Sequence, residues 1–194
     1  NERIVCGGGR RIGNRFFNCW SNHGVVDMAK SVYQSCDSYY YHFAQQVGFD
    51  KVAAYARRFG LGQEFDLPVA SQFYGTVPDP AWKLKKYEQE WQPYDTVNAS
   101  IGQGYYLTSP LQLAVMATRL ATGREVAPSM IKTNERKLFN SLDFNKDQID
   151  YIHQAMSDVV NGPGTAGRAR LPIDDVLMAG KTGTAQVVSL SKSD

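Results

Sequence analysis

An α+β fold with helices in the majority is what the sequence predicts, and three observations carry that reading. Apolar residues recur at helical spacing over 38–47, 51–59 and 146–161. The stretch 110–121, opened by Ser109-Pro110, is apolar nearly all round. The one long strand candidate, 176–190, comes last and is interrupted by Gly180 and Gly183.

The 194 residues suffice for one domain with a core, or for a large piece of a bigger one. At 43% hydrophobic and 21% charged, the chain is neither disordered nor collagen-like. A net charge of +2 with no basic stripe argues against nucleic acid as a partner. The longest apolar stretches, near 111–117 and 176–179, fall far short of the roughly 20 residues that span a bilayer. No Met and no signal peptide open the chain, so targeting information is expected outside it.

Residues 1–36 hold all three cysteines, Cys6, Cys19 and Cys36, with His23 among them, in the pattern C-x12-C-x3-H-x12-C. Such a set can close a tetrahedral site of the kind structural zinc uses. The segment between Cys6 and His23 is rich in Gly, Arg and Asn, so a crosslink or a metal would give it shape. Two other readings stay open: a disulfide between two of the cysteines with one free thiol, or three reduced and packed thiols.

Residues 37–175 read as mainly helical. A short helix is expected over 26–34, a second over 38–47, and a third over 51–59 with Gly48 as the preceding cap and Asp50 at its start. Prolines at 68, 78, 80 and 93 mark 61–100 as a long connection with one short helix, 80–88, capped by Asp79. The apolar helix 110–121 is expected to be buried on most sides. A short strand near 126–131, the helix 146–161 and a Gly- and Pro-containing loop over 162–167 follow. His42 and His153 are read as exposed helix residues, and Trp20, Trp82 and Trp91 as packing residues. The final strand has no visible partner, which predicts that the chain is a segment of a larger protein.

Lys181-Thr182-Gly183-Thr184 lies on that final strand candidate. On a strand, Thr182 and Thr184 share one face and offer two hydroxyls to a carboxylate beside the charge of Lys181. Gly183 removes a side chain where something approaches closely, and the Thr184 N–H is available to a developing oxyanion. Upstream, Ser35-Cys36-Asp37 stands between two helices. Together these resemble the second and third motifs of the penicillin-binding proteins, serine D,D-transpeptidases whose set is S-x-x-K, S-D-N and K-T-G. Ser35 to Tyr41, 48–62, 91–96, Ile101-Gly102-Gln103-Gly104, Thr108-Ser109-Pro110-Leu111-Gln112 and Lys181 to Gln186 are similar to the elongation-specific class B members, with the division-specific class a close relative. The resemblance runs from about residue 20 to the end.

The resemblance implies a β-lactamase/penicillin-binding-protein-like transpeptidase domain, incomplete, made of its helical subdomain and the active-site edge strand. It implies Ser35, Asp37 and Lys181 as catalytic residues and Thr182, Gly183 and Thr184 as substrate-binding residues. It implies D-alanyl-D-alanine stem peptides of peptidoglycan and β-lactam antibiotics as ligands, an elongation-complex glycosyltransferase as partner, and the periplasmic face of the bacterial inner membrane as location. The second motif departs from the pattern, with Asp37 where Asn is usual. The S-x-x-K motif does not precede Ser35; Ser129-Met130-Ile131-Lys132 and Ser189-Leu190-Ser191-Lys192 both follow it and are chance matches. The nucleophile is therefore expected upstream of the chain. A structural zinc on Cys6, Cys19, His23 and Cys36 would brace the second motif from behind. The alternatives are a non-catalytic β-lactam sensor and a zinc-stabilised interaction module.

Overall fold

Four short strands, hidden by the glycine-rich opening of the sequence, precede the helices in the computed structural model, which describes residues 2–132 and 137–185. Strand β1 (Ile4–Cys6) pairs antiparallel with β4 (Gly24–Val26), and β2 (Gly9–Ile12) with β3 (Arg15–Asn18). Period-2 alternation explains the first ribbon: Ile4, Cys6 and Val26 point inward while Val5 and Val25 face out. Gly13-Asn14 closes the second as a two-residue turn, with Gly13 in the left-handed region at φ 55°. The segment expected to need an external crosslink thus has a backbone framework of its own.

The helices are α1 (Met28–Tyr33), α2 (Asp37–Val47), α3 (Phe49–Arg58), α4 (Pro80–Tyr87), α5 (Pro93–Ser100), α6 (Pro110–Thr122) and α7 (Lys146–Asn161), followed by a single 3-10 turn at Gly167–Ala169. Their starts follow side-chain chemistry. Asp27 accepts from the Lys30 N–H, Asp79 from the Trp82 N–H and Ser109 from the Gln112 N–H, each satisfying a donor that the helix leaves open. Asp50 is not a cap. Helix α3 begins directly after Gly48, whose φ of 84° lets the chain turn between two abutting helices.

Among the described residues, three apolar clusters form the core. Ile4, Cys6, Cys19, Val26, Cys36 and Tyr39 join the ribbons to α2. Val32, Ala155, Val159 and Val160 join α1 to α7. Phe49, Ala53, Val77 and Ala99 join α3 to α5. Each fully buried valine is worth about 1.5–3 kcal/mol of burial. Helix α2 lies against the ribbons on one side and against α5 on the other.

The structure departs from the sequence reading at five further places. Helix α5 lies inside what read as a connection; its buried face carries Asp95 and Thr96 beside Val97 and Ala99, so no apolar period shows. No strand forms over 126–131 among the described residues, because Pro128 has no N–H for a ladder. Helix α6 buries Gln112, Val115 and Arg119 while Leu111 and Leu113 stay 39% and 44% exposed. The inward polar residues are donors: Gln112 Nε2 to the Gln63 and Tyr74 carbonyls (3.0 and 2.6 Å), Arg119 to those of Arg58 and Val126 (2.8 and 3.0 Å). The connection after α3 is held by hydrogen bonds to its backbone as well as by the buried Phe65 and Val77. His153, half-buried, lies with Nε2 2.8 Å from the Leu120 carbonyl and ties α7 to α6 instead of facing solvent, and His42 is half-buried beside Gln46.

The fifth concerns the active-site strand. Residues 176–185 form no strand among the described residues, and 186–190 lie outside them. The segment instead runs along α7, with the Gly180 N–H on the Met156 carbonyl (3.1 Å) and Asn161 Nδ2 donating to the Met178 carbonyl (2.9 Å). A strand needs a ladder partner, and the described residues supply none beside it.

Lys83 and Asp95 form a buried ion pair at 2.6 Å, their side chains 1% and 4% exposed. Burial alone would lower the Lys83 pKa; the Asp95 hydrogen bond and charge reverse that and hold it above the ordinary lysine value. Lys83→Met leaves a buried carboxylate without its cation and is expected to cost about 3–5 kcal/mol, whereas replacing both partners by apolar residues restores most of it. Urea denaturation of both variants checks this.

Candidate active site and metal centre

The turn between α1 and α2 places two consecutive side chains on opposite sides. Ser35 adopts φ 53°, unusual for a residue with a Cβ. Its neighbours hold it there: Trp20 Nε1–H donates to the carbonyls of Ser35 (2.8 Å) and Gln34 (3.1 Å), and the Cys36 N–H donates to the Ser31 carbonyl (3.0 Å). As a result the Ser35 hydroxyl looks into a groove of about 820 Å³ while Cys36 is wholly buried behind it.

The other wall of the groove is Lys181-Thr182-Gly183-Thr184. Lys181 Nζ donates to Ser35 Oγ at 2.5 Å and to the Thr182 carbonyl at 3.0 Å. Thr182 Oγ1 lies 3.1 Å from Ser35 Oγ. Thr184 lines the same groove, and the space beside Gly183 is open. The residues named from the two motifs therefore meet although 147 positions separate Ser35 from Thr182. Lys181 is exposed along the groove, yet desolvation around its ammonium presses its pKa below the usual lysine value, opposed by the charge of Asp37.

Asp37 opens α2 and also lines the groove. Burial raises its pKa; the Trp20 backbone N–H, the Cys19 thiol and the charges of His23 and Lys181 all work against that shift. Asp37 is thus tied to the cysteine-bearing loop on one side and faces the cation on the other.

Behind the turn, Cys6, Cys19, His23 and Cys36 are all buried, their ligand atoms within 4.8 Å of one another. The three thiols are free in the structure. His23 Nδ1 lies 3.6 Å from Cys6 Sγ and 3.4 Å from Cys19 Sγ. Around a tetrahedral zinc with bonds of about 2.3 Å to sulfur and 2.0–2.1 Å to nitrogen, the sulfur–nitrogen edge is roughly 3.6 Å, so the four residues fit that ion. Burial disfavours the thiolate at Cys6, but hydrogen bonds from Ser38 and from the His23 backbone and ring outweigh it and bring the thiol down to about 6; burial pushes the Cys36 thiol up. His23 Nε2 is buried with no hydrogen-bond partner among the described residues.

Three groove residues escaped the sequence reading. Trp20, read as packing, is 62% exposed and lines the groove, its ring edge-on to His23 at 5.1 Å. Tyr40, from the Ser35 to Tyr41 block, lines it too. Ser100 stands at the end of α5, the helix that was missed. Thr165 comes from the glycine-rich loop, whose Gly-Pro-Gly spelling signalled a turn but no role. Ile101 and Gln103 belong to a block already singled out; Gly102 and Gly104, at φ 76° and 72°, make the tight turn that presents Gln103. Trp91 packs on Phe49 and donates to Thr96 Oγ1 (2.8 Å), away from the groove, and Trp82 stands among Tyr87 and Tyr105. Ser129, of the first chance tetrad, turns its hydroxyl onto the Ile131 carbonyl; the tetrad 189–192 lies outside the described residues.

Comparison with known proteins adds three findings. The whole chain, residues 1–194, matches the family described as the penicillin binding protein transpeptidase domain. It is 36% identical over 190 residues to the peptidoglycan D,D-transpeptidase MrdA of Acinetobacter baumannii, covering 91% of this chain and 28% of that protein. Solved structures are similar as well, PBP2 proteins from two organisms among them. The penicillin-binding protein PBP2 of Helicobacter pylori, seen alone and in complex with MreC, gives a TM-score of 0.87 at 30% identity, over 96% of this chain and 36% of that one. Pseudomonas aeruginosa PBP2 in complex with WCK 5153 gives 0.85 at 31%, over 96% and 45%. The chain thus spans less than a third of the length of the curated relative.

Proposed function

Since the chain belongs to the penicillin-binding-protein transpeptidase family, we propose that it is a segment of a serine D,D-transpeptidase that crosslinks peptidoglycan stem peptides during cell elongation and is acylated by β-lactams. One observation carries the proposal: the Lys181 ammonium holds the Ser35 hydroxyl at 2.5 Å, with Thr182 Oγ1 3.1 Å further on, along an open groove. That is a cation and two hydroxyls arranged for a peptide's terminal carboxylate and its neighbouring scissile amide.

In the full-length protein, the serine of an S-x-x-K motif attacks the penultimate D-alanine carbonyl of a D-alanyl-D-alanine stem and its lysine takes the hydroxyl proton. Ser35 passes a proton to the leaving nitrogen, its hydroxyl poised by Lys181. D-alanine departs, and an amine of a second stem peptide accepts the acyl group. Thr182 and Thr184 bind the terminal carboxylate, and the Thr184 N–H supplies one donor to the oxyanion. Asp37 fixes the second motif and, with its raised pKa, meets the substrate backbone. The partner is an elongation-complex glycosyltransferase and the site of action the periplasmic face of the inner membrane; among the described residues no helix is long and apolar enough to cross a membrane.

A structural zinc belongs to the same proposal. Cys6, Cys19, His23 and Cys36 would hold it with no open position. Cys36 adjoins Ser35, and Trp20 reaches from the cluster to the Ser35 carbonyl, so the ion would stiffen the turn that aims Ser35.

Incubation of the full-length protein with fluorescent penicillin should give a covalent adduct, formed far more slowly by Ser35→Ala. Release of D-alanine from a stem-peptide mimic then separates a transpeptidase from a protein that only acylates. An intact protein that forms no adduct refutes the proposal.

A further inference from the structure

We propose that Thr165 is a positioning residue for substrate recognition: its hydroxyl fixes the Thr182 hydroxyl so that the latter's single proton points at an anionic group in the groove. The inference rests on the transpeptidase reading above and extends it to a residue outside the three motifs.

The hydroxyls form a short chain. Lys181 Nζ is 2.5 Å from Ser35 Oγ, Ser35 Oγ is 3.1 Å from Thr182 Oγ1, and Thr182 Oγ1 is 2.8 Å from Thr165 Oγ1. Proton counting orients it. An ammonium has donors only, so Ser35 accepts from Lys181 and its own proton is free for Thr182. Thr182 has one proton and two lone pairs. If Thr165 donates, both lone pairs of Thr182 are occupied, by Ser35 and by Thr165, and the Thr182 proton is left for a third group. That group has to be an acceptor inside the groove, and a carboxylate beside Lys181 is the strongest one available there. Without Thr165, only the Ser35 proton holds the Thr182 hydroxyl, and the moment Ser35 gives that proton to a leaving nitrogen nothing does.

The loop that carries Thr165 is built to deliver it. The Thr165 N–H donates to the Tyr33 carbonyl (3.1 Å), two residues before Ser35. The Ala166 N–H donates to the Val159 carbonyl (2.9 Å). Gly164 lies so close to α7 that a Cβ there would meet the Val159 Cα at 2.3 Å. Thr165 is therefore clamped between the ends of α1 and α7, and its side chain, exposed to the groove, touches the third motif. The backbone clamp does not involve the hydroxyl, so Thr165→Val removes the donor while keeping the shape and the loop.

The test uses full-length protein and two acylating agents, penicillin G and its methyl ester, which lacks the anion. Thr165→Val is expected to lower the second-order acylation rate for the acid by about 10-fold or more, the scale of a hydrogen bond serving a charged group. The ester rate should change less than about twofold, and Thr165→Ser should restore the acid rate. The readout is the acid-to-ester ratio, which a merely structural defect would not move. An equal fall for both agents, an unchanged ratio, or failure of Thr165→Ser to rescue overturns the proposal. Wild-type protein inert to penicillin G would instead strike the transpeptidase reading itself.

Discussion

In the full-length protein Lys181→Met is expected to slow acylation by labelled penicillin by about 10²–10³-fold, the loss that follows when one preorganised electrostatic group is withdrawn from a reacting site. Lys181 is the one cation among the described residues that line the groove. Its ammonium orients the Ser35 hydroxyl and, through the Thr182 carbonyl, the start of the third motif. Met matches its length without the charge, so the fold around 181–184 persists while the field disappears. Arg does not replace it, because a planar fork needs a different approach to a single hydroxyl. The pH dependence has a defined sign. The working form is protonated and is lost as pH rises through its pKa. Desolvation has lowered that pKa, so the alkaline limb of the acylation profile sets in below the ordinary lysine range, and Asp37 keeps it from falling further. Stopped-flow acylation of wild type and Lys181→Met across pH checks both points. A fall of less than about tenfold, or a limb at the free-lysine value of about 10.4, would dismiss Lys181 from the site.

What the sequence disclosed depended on the range over which the physics acts. Caps are local, so Asp79 and Ser109 announced α4 and α6 correctly. Helix α7 was legible to the residue, because its period is long and Gly162 follows it. The motif residues were legible as strings, since Ser35-Cys36-Asp37 and Lys181-Thr182-Gly183-Thr184 each hold their chemistry within three or four positions. The ribbons were not: strands of three or four residues rich in Gly and Arg carry too little alternation to register. Helix α6 shows the opposite failure. Its composition promised burial all round, but the Gln63 and Tyr74 carbonyls after α3 drew Gln112 inward, the Arg58 carbonyl at the end of α3 and that of Val126 drew Arg119, and two leucines were left exposed. Thr165 and Trp20 could not be found from spacing at all, because each acts through a contact made only when distant segments close together.

Metal analysis of the purified protein is expected to find about one zinc per chain, and Cys6→Ala/Cys19→Ala is expected to lose it together with much of the stability of this half of the fold. The four-residue cluster is also the centre of the first core: Cys6, Cys19 and Cys36 pack with Ile4, Val26 and Tyr39, joining both ribbons to α2. Three buried thiols and a buried imidazole have weak means of holding one another, as the unpartnered Nε2 of His23 illustrates. A bound ion turns the same residues into a crosslink between β1, the segment after β3 and the start of α2, and structural zinc contributes folding free energy directly. Even a fraction of that contribution, about 3 kcal/mol, lowers a thermal midpoint by roughly 6–12 °C in a domain of this size. Acylation falls with it, since the cluster supports Ser35 through Cys36 and through the Trp20 indole. Trp20→Phe, which keeps the ring and deletes the N–H, separates the two routes: metal content stays at one while acylation drops. Protein that carries no metal, or that shows a Cys6–Cys19 disulfide on mass spectrometry, contradicts the assignment, because the bond that braces the second motif would then be sulfur to sulfur and would leave His23 and Cys36 out of it.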